Sequence, residues 1–291
     1  MRIISIAALN VVLPPPHRPE RYVKLWMDAA RRKTPVGLRG DVGGMIGSAN
    51  NRYEEHKFVW GDLFKFVNID RDAKWLDLST NEVAAPEDVT QNVRIPESYR
   101  PNLRVLPYIF FPDQHRLIFI SRLDQQNTLS PGMAKTLVER LLNSSDLIEA
   151  HGEAVITVEP DRETLDRIFH LPVLKQISFE ISPPNALGDV ERRLFKWMED
   201  QNATKFTQNM SSDHPDGLQL GRDQRQVAEV AQSNGLVTAR GIDEAGQTVK
   251  YSTIDHPYLE KVEVDTGTTT IEDSFFQAAL GMLRNFVRVG G

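Results

Sequence analysis

Three residues near the start of the chain, Asp41, Glu55 and Lys57, have the types and the E-x-K spacing that suit metal-dependent phosphodiester cleavage. In that chemistry two carboxylates hold Mg²⁺, and a lysine positions or polarises the attacking water. They define one functional hypothesis, a Mg²⁺-dependent nuclease, and against it stands a solvated strand face that bears the same charges. Just before Glu55, Gly37, Gly40, Gly43, Gly44 and Gly47 would let backbone amides approach an anion, but no GKS or GKT ending follows and no strand-then-helix order fits. A bulged hairpin is the expectation there. The histidines form no H-E-x-x-H pair, and both Asp213-His214-Pro215-Asp216 and Asp255-His256-Pro257 read as turns. No G-x-S-x-G elbow is present. These motifs call for no cofactor and no metal site outside the nuclease hypothesis.

Cations offer a second chemistry. Arg31, Arg32 and Lys33 with Arg39 form one group; Arg192, Arg193 and Lys196 share a helical stretch, with Lys205, Arg222 and Arg225 following. Helical spacing puts Arg192, Arg193 and Lys196 on one face, opposite Leu194 and Trp197. Such a face suits contacts to nucleic-acid phosphates, which are tolerant of sequence and sensitive to salt. The competing reading is a solvated face neutralised by Glu191, Glu199 and Asp200.

The elements that must position these groups follow from patterning. Ile3 to Leu13 reads as a strand stopped by Pro14-Pro15-Pro16, and Glu20 to Arg32 as a helix with an acidic first turn and a basic last one. The span from Val36 to Val67 reads as a long hairpin, and Asn68 to Arg104 as an irregular connection. Tyr108 to Phe111 and Leu117 to Ile120, flanking Pro112 to His115, form the clearest hairpin. A helix over Met133 to Ile148, a strand over Ala154 to Val158, a short helix capped by Asp161 and an alternating strand over Val173 to Ile181 come next. Asp189 to Asp200 is amphipathic with Val190, Leu194, Trp197 and Met198 inward; Gln201 to Gly217 is a polar loop; Gln224 to Gln232 is a helix. A hairpin turning at Asp243 to Gly246 and a closing apolar helix from Thr270 or Ile271 to Val287 complete the set. The expected class is α+β, with antiparallel sheets bearing helices on one face, in two domains: 1–182 and 183–291, divided at Pro183-Pro184.

Composition bounds the possibilities. A chain of 291 residues with 40% hydrophobic and 25% charged residues can bury its own core. The net charge of −6 argues against a uniformly basic coat and leaves room for a local basic patch. The lack of cysteine removes thiol nucleophiles and disulfides, and fits a reducing compartment, for which the cytoplasm is the default. The opening MRIISIAALNVVLPPP reads as a strand rather than a secretion signal, and no apolar stretch reaches the roughly 20 residues that span a bilayer, so no membrane insertion is expected.

One resemblance adds to this. The order NLRVLPYIFFPDQHRLIFISRL, SPGMAKTLVERLL, AVITVEP, DRETLDRIFH and ISFEI, with the later RGIDEAGQTVKYSTID and a closing helix, resembles the RexA-like family of phage-exclusion sensors over about half the chain. YEEHKFVWGDLFKFVNID and KWLDL are similar to a bacterial family of domains whose function is not known. The Rex resemblance implies a soluble, homodimeric, DNA-binding sensor in antiphage defence, acting with a separate effector protein rather than as an enzyme. The N-terminal third departs from that pattern and no DNA-contact motif is shared. The expected DNA contacts therefore rest on the basic faces: Arg192, Arg193 and Lys196, with Arg222 and Arg225, and Arg31 and Arg32. The closing helix is the candidate dimer surface. The alternatives are the nuclease and a protein-interaction subunit that binds no nucleic acid.

Overall fold

The first strand, β1 (Arg2–Val12), lies against three partners at once, all antiparallel: β8 (Arg116–Arg122), β9 (Val155–Val158) and β14 (Glu260–Val264). In this computed structural model, residues 1–287 are described apart from 71–72, 88, 90–95, 97, 182–188 and 204. The main sheet runs β14-β1-β8-β7-β4-β3-β2, where β2 is Val36–Gly37, β3 Val42–Arg52, β4 Phe58–Val67 and β7 Arg104–Phe111. The apolar runs flanking Pro112 to His115 do form the β7–β8 hairpin, pairing Tyr108 with Phe119 and Ile109 with Ile118. Burial explains why these strands read as continuous apolar runs: both faces of β8 are covered, and Leu117 to Ile120 are inaccessible to solvent.

The expected hairpin over 36–67 is present as β3 and β4, joined by the single turn α2 (Tyr53–His56). A register shift between Ile46 and Ser48 places a bulge at Gly47, where a Cβ would meet the Phe64 ring at 2.3 Å. Between β4 and β7, β5 (Leu76–Asp77) and β6 (Glu82–Val83) pair only with each other.

Helix α1 (Pro19–Arg32) packs on one face of the main sheet. Its Trp26 Nε1 donates to the Tyr108 hydroxyl at 2.8 Å, and its ring stacks on Phe110 at 4.9 Å. The helix expected over 133–148 is two: α3 (Pro131–Leu142), capped by the Ser130 hydroxyl, and α4 (Ser145–His151). The break has a local cause. The Asn143 amide group bonds both the N–H and the carbonyl of Ala154, each at 2.7 Å, which pins the chain to the next strand just where the helix would continue. On the opposite sheet face, Phe276 of the final helix α8 (Ile271–Val287) meets Phe58, which in turn meets Phe111.

A second, four-stranded sheet runs β11-β10-β12-β13, with β10 at Val173–Ile181, β11 at Phe206–Ser211, β12 at Gly235–Ile242 and β13 at Thr248–Ser252. Three helices cover one of its faces: α5 (Arg162–Phe169), α6 (Asp189–Asp200) and α7 (Arg222–Asn234). Two expectations change here. Gln201 to Gly217 is not simply loop, because Phe206 and Met210 face the core from β11 while Thr207, Asn209 and Ser211 face out; the strand is masked by its polar composition. Trp197, expected inward, is 49% exposed and lies edge-on to Phe206.

The packing does not divide at 182/183, since β10 pairs with β11 and β12 across that point, while β14 and α8 join the main sheet. The second sheet is entered and left through an antiparallel bridge between Pro160 and Pro257, closed by Asp161 N–H to His256 O and Tyr258 N–H to Glu159 O, both 2.8 Å. Pro183 and Pro184 lie outside the described residues.

Candidate nucleic-acid interface

The carboxylates of the nuclease hypothesis do not meet. Asp41 sits in the turn before β3, and Glu55 and Lys57 sit beyond its far end, so the 11-residue strand separates them by about 35 Å at ~3.3 Å per residue. Each is occupied locally instead. The Glu55 carboxylate lies 3.2 Å from Arg52 and 3.7 Å from His56, and the Lys57 ammonium lies 4.6 Å from the Tyr53 ring centroid. Among the described residues no group of three or more His, Asp or Glu side chains could hold a metal ion. Gly43, Gly44 and Gly47 lie inside β3 rather than at a helix N-terminus, so they make no phosphate cradle. The two His-Pro turns are turns: His214 Nδ1 accepts from the Asp216 N–H, and the His256 carbonyl belongs to the Pro160–Pro257 bridge.

The cations divide into two groups. On α1, Arg31 pairs with Asp28 at 2.9 Å, and Arg32 pairs with Asp146 at 2.8 Å and donates to the Ser144 hydroxyl. The Ser144 hydroxyl bond, then the backbone N–H of Asp146 and the Arg32 charge, hold the Asp146 carboxyl below its ordinary range. Arg32 serves the α1–α4 contact, whereas Arg31 is exposed and paired within α1.

On the second sheet's helical layer the picture differs. Arg193 and Lys196 stand exposed one turn apart on α6 and make no ion pair among the described residues; the Arg192 side chain lies outside those residues. Arg222, the first residue of α7, is also exposed. Arg225 is exposed, with its guanidinium 5.0 Å above the Phe169 ring and Nε 3.4 Å from the Leu220 carbonyl. The first helical turn disfavours positive side chains through the macrodipole, a penalty that Asp223 in the same turn offsets in part and that a bound phosphate would reverse. Lys205 is neutralised by Glu180 at 2.7 Å.

A family model described as "Domain of unknown function (DUF4747)" matches residues 2–280. The chain belongs to this family. The match runs through both sheets, so the family embraces the inserted four-stranded sheet as well as the main one. No curated protein matches the chain. Among the described residues no helix is long and apolar enough to cross a membrane.

Reading the sequence for clusters passed over two further cations, Arg240 and Lys250, which stand ten residues apart in the chain but directly opposite each other on β12 and β13. Only the strand register reveals them. The signal available beforehand was the alternation of VTARGI and TVKYS, which turns both cations to the same side.

Proposed function

We propose that this chain is a non-enzymatic DNA-binding component of a bacterial antiphage defence system, a cytoplasmic homodimeric sensor that passes its signal to a separate effector protein. The observation that supports it is the exposed set Arg193, Lys196 and Arg222 on the helical layer, without acidic partners among the described residues. Arg31 and Arg32, by contrast, are engaged by Asp28 and Asp146. Three left bare on adjoining helices suit an anionic ligand from outside the chain. The defence setting rests on the similarity of element order to the Rex sensors. The nuclease reading loses its basis in the separation of Asp41 from Glu55 and Lys57.

The test is a mobility-shift titration of duplex DNA over a salt series, with wild type and an Arg193→Gln/Lys196→Gln/Arg222→Gln variant. Three lost phosphate contacts reduce the slope of log affinity against log salt by roughly 3. Wild-type protein that fails to bind at low salt, or a variant with unchanged affinity and slope, refutes the reading.

A further inference from the structure

The helices cover one face of the second sheet, and its opposite face is open. Beyond an outermost row of Val173, Ile242 and Thr248, three rows of outward side chains cross it. The first runs Ser211, Gln176, Arg240, Lys250 over all four strands, and the second runs Asn209, Ser178, Thr238 and Ser252, of which Ser252 is buried. Thr207, Glu180 and Leu236 make the third. Ser211, Gln176, Arg240, Lys250, Asn209 and Thr207 are exposed. The inward neighbours Ile177, Phe179, Ala239 and Val237 belong to the core beneath the helices, which fixes the direction of every side chain on the open face.

The composition of this face is selective. Its acid, Glu180, is already paired with Lys205, and the nearby Asp243 carboxylate is engaged by the N–H groups of Ala245 and Gln247 in its own turn. Arg240 and Lys250 are left facing each other across the strands. Like charges in directly opposed cross-strand positions destabilise a sheet. The remaining positions are almost all hydroxyls and amides, the side chains that, with Arg and Lys, contact nucleic-acid phosphates and sugars. A protein partner would call for an aromatic or apolar centre, whereas the large apolar groups, Leu236 at one end and Val173 and Ile242 at the other, flank the polar rows rather than fill their middle. No aromatic ring stands in the three rows to stack an unpaired base, as single-strand surfaces require.

We propose that this open sheet face is a second phosphate-backbone binding surface, for duplex nucleic acid, centred on Arg240 and Lys250. It spans about 15 Å across four strands at ~4.8 Å spacing. The proposal deepens the DNA-binding reading and rests on it, but it places the contact on the side of the sheet opposite to Arg193, Lys196 and Arg222. One chain then presents phosphate-binding groups on two faces, so it can hold two duplex segments or be held between them.

An Arg240→Gln/Lys250→Gln variant separates the possibilities in the same mobility-shift assay with a short random-sequence duplex. The salt slope is expected to fall by about 2, while without DNA the variant melts above wild type because the like-charge contact is gone. A sheet variant that loses slope while the helix variant keeps it supports this surface and removes the helical one. Loss confined to the helix variant overturns the sheet surface and leaves the DNA-binding reading standing. Wild type that binds no duplex overturns both, and binding of poly-glutamate as tight as that of duplex overturns the nucleic-acid assignment.

Discussion

Arg116 Nε lies 2.8 Å from Glu159 Oε1, and both side chains are almost wholly buried, 3% and 7% exposed. The same guanidinium donates through Nη1 to the Asn10 amide oxygen at 2.5 Å, so one cation joins β1, β8 and the segment that leads into the second sheet. Desolvation makes such a pair expensive to form and far more expensive to halve. Glu159→Ala or Arg116→Ala alone is expected to cost about 3–5 kcal/mol in denaturant unfolding. The triple replacement Asn10→Leu/Arg116→Met/Glu159→Leu is expected to cost less than either single change, since it leaves no buried charge behind.

The His17 ring sits 3.0 Å from the Tyr22 hydroxyl and its pKa is lowered, first by burial and then by the Arg21 charge. A histidine depressed in the folded state binds its proton more readily when unfolded. Its contribution is therefore complete above the ordinary value of 6.5 and is lost as the pH falls through its lowered folded value. Chemical denaturation at a series of pH values between 7 and 5 should show a steeper loss for wild type than for His17→Asn. Equal slopes would mean that the ring titrates alike in both states.

Two glycine-to-alanine changes should have opposite signs. A Cβ on Gly61 would come 2.0 Å from the Ser48 carbonyl oxygen of the neighbouring strand, so Gly61→Ala is expected to destabilise by about 1–3 kcal/mol. Gly132, in the first turn of α3, has nothing within 4 Å of its added Cβ, and Gly132→Ala is expected to stabilise by about 0.4–1 kcal/mol. Thermal melts of the two variants decide both.

Neutralising the α1 pair gives a control for DNA binding. Arg31→Gln/Arg32→Gln removes two positive charges that already face Asp28 and Asp146. The variant is expected to keep the wild-type salt slope for duplex DNA. A reduction comparable to that of the helix variant would make α1 part of the interface.

Much of the main sheet was legible because its strands announce themselves locally. Tyr108 to Ile120 is apolar on both sides of a turn, and β3–β4 ends in polar turn residues, so neither needed distant information. The α3–α4 break was hidden because Asn143 is an ordinary helix residue until Ala154 is beside it. The place of β14 was hidden for a similar reason: its pairing with β1 links Ile4 to Val262, and no local pattern carries a contact of that separation. The site divides in the same way. Charge clusters such as Arg193 and Lys196 are visible as spacing, whereas the Arg240–Lys250 pair exists only once two strands are in register.

The partners of β1 are made at widely different times. During synthesis Arg2–Val12 leaves the ribosome before β8 and β9, and β14 comes only after the whole second sheet has been translated. Until then one side of β1, from Arg2 to Ile6, has its backbone groups unpaired, a template open to any other extended chain. Chaperone demand and misassembly in a nascent or truncated chain should therefore concentrate on that edge.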